Sequence, residues 1–367
     1  MLRSTLAGDK RRAASGPHQI SNGNQDMALL TICMPTRRDF AQSRAAIEAA
    51  VDFADAYGAE VVLSDNSGDP EKKAYWESRS PRIRYVPSTA PTAFDNFLHS
   101  VKAAATPFIL QLGDDDSIAF SRAIRPVELA SLPDDVMGVR PLTEVTVTGA
   151  GVVRRKEFGI SQTTPSGRIR EYSEKAAGDN SALYSVFRRE VYTSLLELFA
   201  LHHPTKGSFT DWAMALALFA YGRMIFDPSI IYRYNADQWS DQTKIAERNE
   251  ELYRAAGIPP ELGDSYQPLL MALDLFIFVT RPGTPLDRDG AIDAASIVAG
   301  DVLNGFLNQV ARKPQDYTEK LRYLADLAGK EQNAFNRFQL GLIMADELKP
   351  GLKDAYVRYF QIANGQV

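Results

Sequence analysis

The sequence has a single cysteine, Cys33, and four histidines. One thiol excludes an intrachain disulfide, and so few thiols and imidazoles leave no Cys/His cluster of the kind that holds structural zinc. Any bound metal must be held mainly by oxygen. A basic excess is missing as well: 41 Lys and Arg stand against 46 Asp and Glu, a formal net charge of -5. That removes the electrostatic footprint of a nucleic-acid binder. The longest apolar run, Pro268–Val279, is interrupted by Asp274 and falls short of the roughly 20 residues that span a bilayer. Internal repeats and low-complexity tracts are absent. There is no Walker A run and no Gly-x-Ser-x-Gly elbow, and Gly149-Ala150-Gly151 fails as a dinucleotide fingerprint because Arg154 stands at its third glycine position. What is present is ordinary for a folded chain: 367 residues, 45% hydrophobic and 24% charged, enough for a sizeable core and more than one domain.

The first 26 residues mix Gly, Ser, Asn, Gln and Arg without the apolar stretch of a secretory signal. They read as a disordered tail, and Met27 is an alternative start. From Leu29 to Leu112 short apolar runs alternate with helical periodicity, the signature of βα units around a largely parallel sheet. Strands are expected at Leu29–Met34, Glu60–Leu63, Arg82–Val86 and Phe108–Leu112, with a helix ending at Gly58 and another over about Thr92–Ala104. Polar turns follow three of these strands: Pro35-Thr36, Ser64-Asp65-Asn66-Ser67-Gly68 and Gly113-Asp114-Asp115-Asp116. In an open α/β sheet such turns share one edge, where the ligand crevice lies.

Alternating β-type residues fill Met137–Arg155, and a Gly/Ser/Thr-rich loop with the look of a lid runs over Phe158–Gly178. A helix over Arg189–Leu201, a second from the Lys206–Trp212 motif to Tyr221, and short strands at Arg223–Phe226 and Ser229–Tyr234 follow. Beyond about Asp241 only helical patterns remain, in roughly five segments by periodicity. The predicted parts are a tail over 1–26, an α/β domain over 27–240 and a smaller all-α domain over 241–367.

Three consecutive carboxylates, Asp114, Asp115 and Asp116, repel one another in a compact site unless a cation or hydrogen bonds neutralise them. A Mg²⁺-type ion is held by one or two carboxylates plus substrate phosphates, so the cluster suits a metal–diphosphate complex; the competing reading is a solvated acidic turn. Asp65, in its tight turn, could accept from an imide or amide N–H of a nucleobase, or could be a turn residue only. Asp211 could serve as a base, its pKa raised by Phe209 and Trp212, or could simply favour the positive end of a helix. His202-His203 could touch an acceptor or phosphate, with a plain surface loop the competing reading. Arg168, Arg170, Arg188 and Arg189 could meet an anionic acceptor or form solvated charge runs.

Met34-Pro35-Thr36-Arg37-Arg38, Leu63-Ser64-Asp65-Asn66-Ser67, Asp95-Asn96 and Gln111-Leu112-Gly113-Asp114-Asp115-Asp116 together resemble the nucleotide-sugar half of family 2 glycosyltransferases with the GT-A fold. Phe209-Thr210-Asp211-Trp212, Tyr221-Gly222 and Tyr232-Arg233-Tyr234-Asn235 resemble that family's acceptor half in order and spacing, so the resemblance covers about Leu29 to Ser240. It implies a GT-A domain with a Rossmann-like mixed sheet, followed by the all-α domain. It also implies a metal-dependent, inverting hexosyltransferase that moves a sugar from a nucleotide diphosphate sugar, with a UDP-sugar the expected donor, to a hydroxyl of a glycan or lipid-linked acceptor in bacterial surface polysaccharide synthesis.

Carried over, Pro35, Thr36, Arg38, Asp65, Asn96, Asp114 and Asp115 would bind the nucleotide. Asp114, Asp115 and Asp116 correspond to the DXD-type metal motif for Mn²⁺ or Mg²⁺, with Asp116 or Asp115 as the direct ligand, and Asp211 to the general base. Departures are Ser64 for the first aspartate of the base-binding turn, Thr210 for the glutamate before the base, and Asn235 where many members carry a histidine. A Gln-x-x-Arg-Trp motif, the mark of processive synthases, is missing, which favours one sugar per encounter. The expected partners are the donor and acceptor, with no nucleic acid and no transmembrane segment; the C-terminal helices offer a surface for a homo-oligomer. The expected location is the cytoplasm, with peripheral contact at the inner membrane. The rival readings are a sugar-phosphate nucleotidyltransferase, whose glycine-rich basic loop after the first strand is not matched by Pro35-Thr36-Arg37-Arg38, and a non-catalytic nucleotide-sugar-binding module.

Overall fold

The computed structural model describes residues 28–178, 180–205, 210–237 and 241–366. The predicted tail over 1–26 and residues 206–209 of the motif before Asp211 lie outside the described residues. The chain begins β1 (Leu30–Thr36), α1 (Phe40–Tyr57), β2 (Glu60–Asp65), α2 (Pro70–Arg79), β3 (Ile83–Pro87), α3 (Ala93–Ala103) and β4 (Phe108–Gln111). The alternation matches the sequence pattern, with α2 as an addition. α1 starts where the Asp39 side chain accepts from the N–H of Gln42 and stops at Gly58, which has φ 89°, a left-handed conformation that glycine adopts without a Cβ penalty.

Then come β5 (Ser117–Phe120), β6 (Val136–Val147), β7 (Gly151–Lys156), α4 (Pro165–Ala176), β8 (Val186–Arg188), α5 (Arg189–His202), α6 (Thr210–Tyr221) and β9 (Arg223–Asn235). The segment expected to be a loop over Phe158–Gly178 therefore contains a helix. Its start is chemically conventional: the Thr164 hydroxyl accepts from the N–H of Gly167, and Pro165 sits in the first turn. The two short strands expected at 223–234 are one strand, β9, whose register against β6 shifts between Pro141 and Leu142. The helical region holds α7 (Gln242–Ala255), α8 (Pro260–Thr280), α9 (Arg288–Ile297), α10 (Leu303–Arg312), α11 (Glu319–Lys330), α12 (Ala334–Leu348) and α13 (Leu352–Ala363).

Among the described residues the strands form one mixed sheet in the order β3-β2-β1-β4-β8-β6-β9-β5, with β7 hairpinned onto β6. β1 pairs in parallel with both β2 and β4. Every residue of β1 is buried, as befits a central parallel strand covered on both faces. The chain order reverses at β1/β4, so the ends of β1, β2 and β4 flank the switch point where an open α/β sheet forms its crevice. Beyond β4 the sheet continues through antiparallel β8 onto β6. That approach needs Gly138: a Cβ there would meet the carbonyl oxygen of Val186 at 1.9 Å.

The α/β architecture followed by helices is the one expected from sequence, but the core does not divide at 240/241. One apolar cluster joins Ile109 and Phe187 of the sheet, Ala213–Tyr221 of α6, Leu269–Val279 of α8 and Tyr359 of α13. The Tyr221 hydroxyl donates to the carbonyl of Phe278 at 2.6 Å. His203 also belongs to this seam. It is buried, its Nε2 lies 2.9 Å from Asp274 Oδ1 on α8, and it takes no part in the crevice. By length and composition two helical stretches, Pro260–Thr280 and Arg288–Arg312, could cross a membrane. In α8, the first of them, Leu269–Val279 is covered almost throughout.

Candidate active site

A cavity of about 400 Å³ opens at the carboxyl ends of β1 and β4. The turn after β1 supplies Pro35, Thr36 and Arg38, the turn after β2 supplies Asn66, and α3 supplies Asn96 and Phe97. The turn after β4 supplies Asp114, Asp115 and Asp116, while Tyr184, Tyr234 and Asn235 close the side toward β9. Parallel pairing and the strand order bring these turns together although they are far apart in sequence.

A hydrogen-bonded chain runs beneath the β1 turn. The fully buried ammonium of Lys72 on α2 donates to Thr36 Oγ1 at 2.9 Å, to the Arg38 carbonyl at 2.8 Å and to Asp65 Oδ1 at 3.3 Å. The Thr36 hydroxyl in turn donates to Asp114 Oδ2 at 2.8 Å. Burial lowers the Lys72 pKa, and Asp65 opposes that shift. The other bonds to Asp65 come from the N–H of Ser67 at 2.8 Å and the hydroxyl of Tyr85 at 2.6 Å.

Asp65 therefore departs from the expected base contact. It is turned into the protein, it does not line the cavity, and both its oxygens already accept hydrogen bonds. Its neighbour Asn66 faces the cavity instead. Asn66 Nδ2 donates to the Ala90 carbonyl at 3.0 Å, and Oδ1 is buried without a partner among the described residues. Asn96 lines the wall, but both ends of its amide are engaged with Ser64, Oδ1 accepting at 2.7 Å and Nδ2 donating at 3.1 Å.

The three carboxylates of the triplet diverge. Arg38 bridges two of them, Nε donating to Asp114 Oδ1 at 3.1 Å and Nη2 to Asp115 Oδ2 at 2.8 Å. Asp116 is drawn into the sheet, where Tyr232 Oη donates to Oδ2 at 2.6 Å and the N–H of Asn235 to Oδ1 at 2.8 Å. Burial pushes the Asp116 pKa up to about 7, partly offset by those two bonds. Burial also raises that of Asp115, against the pull of Arg38. The expected ligand set of all three is not formed, and no group of three such side chains converges as metal ligands among the described residues. A magnesium-type site with a diphosphate needs only one or two carboxylates. Asp114 and Asp115, already sharing a guanidinium as stand-in cation, meet that requirement.

Asp211 opens α6, whose body from Ala213 to Tyr221 is buried. Its Oδ1 accepts from the N–H of Trp212 at 2.9 Å and its Oδ2 from Asn180 Nδ2 at 3.1 Å. Burial raises its pKa and the two hydrogen bonds oppose the rise. It is not on the cavity wall itself. The link is Tyr184, which lines the cavity, stacks between Tyr232 and Tyr234 at centroid distances of 5.2 and 5.6 Å, and lies within electrostatic reach of both Asp116 and Asp211.

The arginines considered for an anionic acceptor have structural work. Arg168 is buried and donates to the carbonyls of Thr163, Phe219 and Ala220, and Arg170 pairs with Asp301. Arg188 holds Val136 and Pro133, and Arg189 holds Thr106. Lys72, Asn66, Asn180 and Tyr232 were not singled out from sequence as site residues. Asn66 and Tyr232 lie inside motifs already noted, and Lys72 left a weaker signal: it lies four residues before buried Trp76, on the covered face of α2.

No protein-family model matches the chain, and no curated protein matches it closely. Among solved structures, S. aureus TarS 1–349 in complex with UDP is similar at 13% identity and a TM-score of 0.43, covering 92% of this chain and 92% of that one. The same region in complex with UDP-GlcNAc is similar at 14% identity and a TM-score of 0.42, covering 85% and 90%. At such TM-scores the likeness carries no weight for the activity, which has to come from the site.

Proposed function

We propose that the chain is an inverting glycosyltransferase of the GT-A type. In this reading it takes a sugar from a nucleotide diphosphate sugar, most simply a UDP-sugar, and passes it to a hydroxyl of a glycan or lipid-linked acceptor in bacterial surface polysaccharide synthesis. One observation carries the reading. A cavity at the sheet's switch point has a carboxylate–guanidinium edge suited to a diphosphate on one side, and on the other Tyr184, which lies within electrostatic reach of Asp211, a half-buried carboxylate suited to be a base.

The turn after β1 would cradle the nucleoside with Pro35 and Thr36, its backbone held by Lys72. Asn66 Oδ1, buried and unpaired among the described residues, would accept from a base N–H or a ribose hydroxyl once a ligand and a small side-chain rotation expose it, and would take over the role expected of Asp65. Asp114 and Asp115 would hold Mn²⁺ or Mg²⁺ together with diphosphate oxygens. Such a cation, when bound, neutralises the charge that builds on the leaving diphosphate. Arg38, released from the two carboxylates, would then be free to meet a phosphate oxygen.

Asp211 takes the proton of the acceptor hydroxyl. The hydroxyl oxygen attacks the anomeric carbon on the face opposite the diphosphate, and the carbon–oxygen bond to the diphosphate breaks with its electron pair leaving on UDP. The products are the glycoside with inverted configuration, the nucleoside diphosphate, and a proton that Asp211 returns to solvent. A cytoplasmic enzyme in peripheral contact with the inner membrane fits such a donor and acceptor.

Calorimetry with UDP-, dTDP- and GDP-sugars, with and without Mn²⁺, combined with a donor-hydrolysis assay, tests the reading. UDP-sugars should bind in preference, and hydrolysis should fall when the cation is chelated. No binding by any nucleotide sugar would sink the proposal, and pyrophosphate release from a nucleoside triphosphate would replace it with a nucleotidyltransferase.

A further inference from the structure

Asn180 sits between two residues from different helices. Its Nδ2 donates to Asp211 Oδ2 on α6, and its Oδ1 accepts from the Tyr172 hydroxyl on α4 at 2.7 Å. A carboxylate can only accept, so the amide must present its nitrogen to Asp211 and its oxygen to Tyr172. Tyr172 is itself fixed. It is fully buried, and its ring lies 4.3 Å from that of Phe219 and 6.4 Å from that of Trp212, both on α6. Asn180 also stands directly before the 3₁₀ turn Ser181–Leu183 that leads to Tyr184 on the cavity wall.

We propose that Asn180, locked by Tyr172, is the positioning residue of Asp211, holding its carboxylate at one fixed angle to the cavity. The inference rests on the glycosyltransferase reading and deepens it. Among the described residues, the groups around Asp211 are neutral: the Asn180 amide, the Trp212 N–H, and the phenols of Tyr172 on α4 and Tyr184 ahead of β8. Among the described residues no cation pairs with Asp211; the donated hydrogen bonds oppose the effect of burial, and the amide of Asn180 is the only described side chain making one. Asn180 touches neither reacting atom. Its influence passes through Asp211 alone.

The test is donor hydrolysis by the full chain with a UDP-sugar that the wild type binds, followed against pH. Asn180→Ala should lower kcat about tenfold or more, leave the donor KM within about twofold, and move the acid limb of the profile upward. The sign follows from the lost hydrogen bond: without it the carboxylate holds its proton to higher pH and is a base over a narrower range. Tyr172→Phe keeps the ring packing and removes only the hydroxyl, so it should move the same limb in the same direction by less; it decides the matter if Asn180→Ala fails to fold. In an Asp211→Asn background, Asn180→Ala should cause no further loss.

An unmoved acid limb in both variants, or a full additional loss on top of Asp211→Asn, would overturn the role. Wild-type turnover in Asp211→Asn alone would instead overturn the assignment of the base, and with it the positioning role. A wild type without donor turnover would take down the glycosyltransferase reading itself.

Discussion

The two sides of the cavity are built by opposite electrostatic means. Below the β1 turn, charges are paired, Lys72 with Asp65 in full burial, and the more exposed Arg38 shared between Asp114 and Asp115. Around Asp211 the partners are an amide, a backbone N–H and aromatic rings. A charged network suits a site that receives a charged ligand, because its ions are already paired and can exchange partners. A neutral, partly desolvated surround suits a base, because it keeps the proton affinity above that of an ordinary carboxylate. The difference teaches that burial alone does not define a role; what faces the buried group does.

The largest expected effect lies on the neutral side. Asp211→Asn should reduce turnover by about 10² to 10⁴, the usual range for a lost general base, with donor affinity nearly unchanged. Single-turnover kinetics beside calorimetry would read both, and a parallel loss of donor binding would erase the division of labour between the two sides. Next comes the charged side. Lys72→Met leaves Asp65 buried without its cation and should cost about 3–5 kcal/mol of stability, seen as a lower urea midpoint; an unchanged midpoint would mean that the matched pair is dispensable. The smallest effect should come from Arg38→Ala. Freed of the guanidinium, Asp114 and Asp115 should bind Mn²⁺ in the absence of nucleotide more tightly by up to about tenfold, roughly 1.4 kcal/mol. Weaker Mn²⁺ binding in a titration would show that Arg38 does not stand where the cation belongs.

Legibility followed the same division. The turns carrying Pro35–Arg38 and Asp114–Asp116 could be found from sequence because each ends a strand, and parallel pairing gathers strand ends on one edge. Side-chain direction could not. Asp65 and Asn66 are neighbours in one turn, and only packing against Lys72 and Tyr85 decides which of them faces the cavity. The clamp on Asp211 was invisible for a different reason, since it joins Tyr172, Asn180 and Asp211 across helices that no local pattern relates. The helix α4, by contrast, was missed although Thr164-Pro165 marks its start, because the Gly, Ser and Thr around it read as a loop.

The shared core bears on the order in which a ribosome delivers the protein. A nascent chain that has emerged as far as Asn235 already contains every strand of the sheet and the whole of α6. It has not yet released Leu269–Val279, against which Ala213–Tyr221 packs, nor the Phe278 carbonyl that receives the Tyr221 hydroxyl. The half of the crevice framed by β1, β2 and β4 can thus be assembled during synthesis, while the face of the Asp211 helix that packs on α8 is covered only after α8 emerges.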